Sequence, residues 1–245
     1  MKENDPVAAY FDKLPETHKR QFEERASGAN FNFQQRLRLA CELGGASSGR
    51  LLDCAAGTGE ITCALLKSGR FNHATVVDVS PGMLQSAKDL LTSQIKNAEL
   101  AFVQSDVFNF KPFDSHFDLI LCLGLIAHTG RLEILLRHLR SMLTAGGRII
   151  LQTTLTDHLG TRIVRALTSR SELARRGYRI SWFSQQDISG ACDRAGLRIL
   201  ETRRHSFGVP FGDRLWPWAN FQLETQLENW ASRHGTDAIY LLGAR

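Results

Sequence analysis

Leu51-Leu52-Asp53-Cys54-Ala55-Ala56-Gly57-Thr58-Gly59-Glu60 is the stretch on which the fold turns. An apolar strand ends in a carboxylate, and a turn of small residues opens directly onto the helical run 61–68. Small residues let a backbone approach a ligand closely, and the first turn of a helix offers N–H groups with no intrahelical acceptor. The turn does not match a phosphate-binding dinucleotide loop. G-x-G-x-x-G would need glycine where Ala55 stands and again where Glu60 or Thr62 stands, and no P-loop lysine is present. A nicotinamide-dependent oxidoreductase is thereby disfavoured.

On either side of this stretch, short apolar runs alternate with helical patterns. Strands are predicted at 50–54, 74–79, 101–104, 117–123, 148–153, 198–207 and 238–243. Helices are predicted at 61–68, from Ser80-Pro81 to about 94, at 131–143, within 157–175, at 185–195 behind Ser184, and at 220–233. Gly146-Gly147 reads as the end of the 131–143 helix. Such alternation means βαβ units and a mostly parallel sheet, with the ligand outside the carboxyl ends of the strands where strand order reverses. The first 45 residues read as an N-terminal helical cap, with buried-face patterns at 6–14 and 31–43. The whole chain, 1–245, is expected to be one α/β domain, with 155–183 and 207–235 as candidate substrate-side insertions.

Composition fits an ordinary globule: 43% hydrophobic and 22% charged residues, with a net charge of +5. The polar start at 1–6 lacks the apolar core of a signal peptide, and the longest apolar run, 119–127, is too short to span a bilayer. Five scattered cysteines with no C-x-x-C pair argue against a disulfide framework and a zinc site, and suggest reduced thiols in the cytoplasm. Between 161 and 180, six arginines (Arg162, Arg165, Arg170, Arg175, Arg176, Arg179) face one acid, Glu172. They form either a solvated helical face or a docking surface for an anionic partner such as an acidic carrier protein.

The loop around Gly57 resembles the first motif of the class I S-adenosylmethionine-dependent methyltransferases, with Ala55 in place of its first glycine. Further landmarks arrive in the family's order. They are Asp78 in Val76-Val77-Asp78-Val79-Ser80-Pro81, Ser105-Asp106-Val107, Phe117-Asp118-Leu119-Ile120, and Leu143-Thr144-Ala145-Gly146-Gly147-Arg148. The resemblance covers about 50–151, and the final strand fits the family's antiparallel edge. It implies a Rossmann-like sheet of seven strands with an antiparallel last strand and helices on both faces. The cofactor would be S-adenosyl-L-methionine and the product S-adenosyl-L-homocysteine. It also implies that Asp53, Ala55, Gly57 and Gly59 hold the methionine moiety and Asp78 the ribose, while Asp106 and Val107 read the adenine. Val79 and Met83 would pack on the adenine ring, Leu123 would lie beneath the cofactor, and Tyr10 and Arg36 would close over it. Alanine at 55 loses the freedom glycine has to adopt a positive φ there.

Three histidines fall past the carboxyl ends of strands. His128 is the first candidate general base, ahead of His205 and His158. The loop after Leu123 lacks the Asn/Asp-Pro-Pro-aromatic box of enzymes that methylate base amines. It also lacks a carboxylate cluster for magnesium, so a metal-free mechanism is expected. Phe207, Phe211 and Trp216, in an aromatic segment before the last helix, are candidates for an apolar substrate wall. These readings together expect O-methylation of a small, partly apolar molecule. A carrier-bound or anionic macromolecular substrate, or a domain that binds the cofactor without turnover, are the alternatives. No nucleic-acid-binding module accompanies the domain.

Overall fold

Residues 6–16, 27–112 and 116–245 are described by the computed structural model. Its seven strands are β1 (Gly49–Cys54), β2 (Phe71–Asp78), β3 (Glu99–Gln104), β4 (Phe117–Leu123), β5 (Leu143–Thr154), β6 (Leu197–His205) and β7 (Asp237–Ala244). They form one sheet in the order β3-β2-β1-β4-β5-β7-β6, and only β7 runs antiparallel to the rest. Leu51–Cys54, Leu119–Cys122 and Ala238–Leu242 are buried without a break, which is why these runs read as continuously apolar: helices or neighbouring chain cover both faces. β7 does not take the expected edge position. It lies between β5 and β6, because its Ala-Ile-Tyr-Leu-Leu run needs cover on both faces, whereas polar Leu-Glu-Thr-Arg-Arg in β6 tolerates the edge.

The helices are α1 (Pro6–Phe11), α2 (Gly28–Gly44), α3 (Glu60–Lys67), α4 (Pro81–Gln94), α5 (Ile126–Thr129), α6 (Leu132–Ser141), α7 (Leu159–Arg176), α8 (Gln185–Arg194), α9 (Gly212–Leu215), α10 (Pro217–Gln226) and α11 (Glu228–His234). Alternate residues of the central strands feed two cores. Leu52, Ile120 and Cys122 pack with α6 and α8, while Leu51, Leu119 and Leu121 pack with α2, α3 and α4. Local chemistry sets the helix starts. Ser80 accepts from Met83 N ahead of Pro81, and Ser184 forms a capping box with Asp187.

Three boundaries differ from the sequence reading. Gly146 and Gly147 lie inside β5, in an irregular stretch between the pairs Phe117–Leu143 and Leu119–Arg148. Gly147 has no side chain to collide with Phe117 O, which would sit 2.7 Å from a Cβ. Strand β6 stops at His205, where Ser206 turns to a φ of 61°. The expected 220–233 helix is divided into α10 and α11 at Leu227. Part of the expected cap, 17–26, lies outside the described residues. No helix among the described residues is long and apolar enough to cross a membrane.

Candidate active site

Strand order reverses between β1 and β4, and a cleft opens at the carboxyl ends there. It has two joined compartments of about 430 and 250 Å³, which share Ala55, Asp78, Val79 and His128. Tyr10, Arg36, Gly57, Met83 and Leu123 line the larger one, and Asp106 and Val107 line the smaller. Residues as far apart in the chain as Tyr10 and His128 thus meet at one edge.

The loop at 55–59 is shaped from below. Asp78 Oδ2 accepts Gly57 N at 3.0 Å and its Oδ1 accepts Ser80 N at 2.9 Å, so the acid at the end of β2 holds both the loop and the start of α4. Burial pushes the Asp78 carboxyl up to about 6, against the pull of backbone N–H groups of Ser80, Gly57 and Val79. Ala55 does take a left-handed backbone, with φ 60°, despite its Cβ, a strain of roughly 1–2 kcal/mol. Gly59 has φ 86° with the Ala87 Cβ 3.1 Å from where its own Cβ would be, so it packs the loop against α4 and does not line the cleft.

Asp53 also lies behind the loop instead of lining the cleft. It is 4% exposed and accepts the Thr62 hydroxyl at 2.5 Å. Burial, with Asp78 and Glu60 adding repulsion, raises its carboxyl to about 7 despite the Thr62 bond. The folded protein therefore holds this proton more tightly than the unfolded chain, whose carboxyl titrates near ~3.9. The resulting stabilisation is complete below pH ~4 and is lost as pH rises through about 7. Asp53→Asn keeps an acceptor for Thr62 and cannot ionise. Its melting temperature relative to wild type is expected to climb from pH ~4 to ~8; a difference that stays constant across that range refutes the assignment.

Asp106 turns its own chain as well as facing the cleft: Oδ1 accepts Phe108 N at 2.8 Å. The Arg36 guanidinium lies 5.1 Å from the Phe33 ring centre, and its Nη2 reaches Asn32 Oδ1 only at 3.4 Å. Among the described residues its Nε has no partner, and burial lowers its pKa against the attraction of Asp237. Tyr10 is roofed by the Arg176 guanidinium at 4.8 Å and meets the Tyr178 ring edge-on.

His128 Nδ1 lies 3.0 Å from the Tyr178 hydroxyl, with the Phe11 ring edge-on at 5.0 Å. Burial, aided by the Arg176 charge, pushes the imidazole down to about 4. The other candidate bases are elsewhere. His205 is 3% exposed, bonds Ser206 Oγ through Nδ1 and does not line the cleft, because β7 separates its strand from β5. His158 caps α7 by accepting Gly160 N. The aromatic candidates also part company. Phe207 packs on Trp230 at 5.2 Å, and Trp216 is 65% exposed outside the cleft. Phe211 lines a second cavity, apart from the cleft.

Two features escaped the sequence. Asp12, just past the end of α1, accepts from Ser80 Oγ and Gly82 N, fastening that end to the start of α4. A helix start wants an acid, but nothing in the chain said which one. Asp237 accepts from Asn32, Thr154, Gln152 and Thr236, and it reaches the carboxyl edge only because β7 is antiparallel.

The fold is that of a Rossmann-like methyltransferase domain. The family model described as "Methyltransferase domain" matches residues 18–202, and the chain belongs to that family. A ubiquinone/menaquinone biosynthesis C-methyltransferase of Pseudomonas paraeruginosa is 33% identical over 116 residues, 46% of this chain and 45% of that protein. Its Rhizobium meliloti counterpart is 31% identical over 102 residues, 41% and 40% of the two chains. The chain thus spans less than half the length of these curated relatives. Among solved structures, a methyltransferase from Thermotoga maritima aligns with a TM-score of 0.67 at 15% identity, covering 97% of this chain and 99% of that one. Magnesium protoporphyrin IX methyltransferase from Synechocystis aligns with a TM-score of 0.66 at 16% identity and covers 98% of each chain.

Proposed function

We propose that the chain transfers the methyl group of S-adenosylmethionine to a hydroxyl of a small, partly apolar molecule in the larger compartment of the cleft. The observation that carries this reading is the convergence on one cleft of three unlike groups: a half-buried guanidinium whose Nε is unpartnered among the described residues (Arg36), a carboxylate at a strand end (Asp78), and a loop of small residues (Ala55, Gly57). These fit the cofactor's carboxylate, ribose diol and close-lying backbone in turn. Asp106, Val107, Val79 and Met83 would hold the adenine, and Leu123 and Tyr10 would close the floor and roof.

When bound, S-adenosylmethionine supplies an already electrophilic methyl group. The protein's part is to hold the acceptor in line with it, and such positioning lowers a barrier by ~7–11 kcal/mol. A base adds ~10²–10⁴-fold. His128 is neutral at neutral pH, so one ring nitrogen accepts a proton while the other faces Tyr178. A base this weak favours positioning over proton removal as the larger contribution.

His128→Ala is expected to lower kcat by about 10²-fold while changing S-adenosylhomocysteine affinity less than about threefold. In the wild-type protein, kcat should show no inflection near ~6.5, the ordinary histidine value. An inflection there that disappears in the variant would show a solvated histidine instead of this buried one. Calorimetry with S-adenosylhomocysteine tests the binding half of the reading; turnover of an acceptor panel, with the methylated atom identified, tests the oxygen assignment.

One observation favours a second reading, a carrier-bound acceptor. On α7, Arg162, Arg165 and Arg175 are exposed beside exposed Ile163 and Leu167, and the helix ends at Arg176 over Tyr10. The side chains of Arg170 and Glu172 lie outside the described residues. An acidic carrier protein docked there would be released steeply by added salt.

A further inference from the structure

A second cavity, of about 450 Å³, lies at the same sheet edge between the start of α2, the end of β6 and α9–α10. Three carboxylates line it: Asp213, Glu224 and Asp237. Each is held from behind. Asp213 accepts Gly28 N and Ala29 N at the start of α2, and Glu224 accepts Phe207 N and Gly208 N. Asp237 accepts from Asn32 and Gln152. These bonds fix the carboxylates in place without neutralising them. Among the described residues, none of the three forms an ion pair with a lysine or arginine. Glu224, 3% exposed, has its carboxyl pushed up by burial, and Asp237 and Asp213 add to that push.

A separate observation points the same way. Asn220 lines this cavity, is 7% exposed, and has an Oδ1 with no partner among the described residues. Its amide orientation is set by Asp213, which can only accept: Nδ2 must face Asp213 Oδ1 at 2.7 Å, so the orphan is an acceptor. A cavity holding three charged acceptors and one unsatisfied neutral acceptor calls for a donor that is positive. The same residues do not converge closely enough for an ion. Among the described residues, no group of three such ligands could hold a metal. Phe33 and Phe211 supply the remaining wall, and aromatic faces attract organic cations.

This cavity adjoins the cleft. Phe33 lines both, and Asp237 bonds Asn32 on the cavity side and Gln152 and Thr154 on the cleft side. We propose that the second cavity binds the ammonium group of the acceptor molecule, and so selects cationic amines whose other end reaches the methyl donor. The inference rests on the methyltransferase reading for the word acceptor; the cation preference of the cavity stands or falls by itself.

The test uses matched amine and alcohol probes with the full chain at neutral pH: phenethylamine against 2-phenylethanol, benzylamine against benzyl alcohol, and butylamine against butanol. Each is titrated by calorimetry with and without S-adenosylhomocysteine. At least one amine is expected to bind about tenfold or more tighter than its alcohol. Glu224→Gln and Asp213→Asn should each reduce that preference by about tenfold while leaving S-adenosylhomocysteine affinity unchanged, which also shows that each variant is folded. Equal binding of every pair, no binding of any amine, or an undiminished preference in both variants overturns the proposal. Loss of S-adenosylhomocysteine binding in the wild-type protein instead overturns the reading of the main cleft, and the amine titrations without it still judge the cavity.

Discussion

Asp78→Ala is expected to weaken S-adenosylhomocysteine binding by roughly 10²–10⁴-fold, the loss of two charge-assisted hydrogen bonds to a ribose diol. Asp78 also serves both sides of the same loop: its oxygens hold Gly57 N and Ser80 N, so removing them loosens the backbone at the cleft as well. The loss should extend to methylthioadenosine, which keeps the ribose but lacks the amino-acid tail. A pH series adds a second readout. Burial holds the Asp78 carboxyl at about 6, so wild-type affinity should fall as pH drops through that value and one oxygen becomes a donor. Asp78→Asn should bind weakly at every pH and show no such step. Unchanged affinity in Asp78→Ala removes the ribose assignment.

Arg36→Met should move two quantities in opposite directions. The guanidinium is half-buried, its Nε is enclosed and lacks a partner among the described residues, and its contact to Asn32 is long. Replacing a poorly compensated buried charge by an apolar side chain of similar length is often stabilising by ~1–4 kcal/mol. In a chain of this size that is a rise of roughly 2–15 °C in melting temperature. Asp237 loses the attraction of Arg36 in the variant but keeps its hydrogen bonds, so the gain should survive. Affinity for S-adenosylhomocysteine should fall by about 10²–10³-fold, the usual cost of leaving a buried carboxylate without its cation. Methylthioadenosine, with no carboxylate, should bind Arg36→Met and wild type alike. Equal losses for both ligands would mean that Arg36 shapes the cleft without meeting the carboxylate.

Much of this was legible early because local chemistry and tertiary position agreed. Asp53-x-x-x-Gly57 and Asp78 end adjacent parallel strands, and paired parallel strands must put their ends at one edge. Ser80-Pro81 and Ser184 announced helix starts through caps that need only neighbours. The structure departs from the sequence reading where two local readings competed. Asp53 and Gly59 carry the motif's residue types, yet the turn folds them under the loop, against Thr62 and Ala87. His205 stands at a strand end like His128, but its strand is the edge beyond β7.

From the order of residues alone came the α/β class, the loop at Ala55–Gly59 and the acid of Asp78, since periodicity, capping and motif spacing depend on near neighbours in the chain. Packing alone decided that β7 enters between β5 and β6, and that insertion carries Asp237 to the carboxyl edge of the sheet beside Asn32 and Gln152. Packing also decided that the Arg36 Nε is enclosed at the cleft and that Asp213, Glu224 and Asn220 share a cavity. Burial and charge proximity are sums over contacts distant in sequence, and no local pattern of residues encodes them.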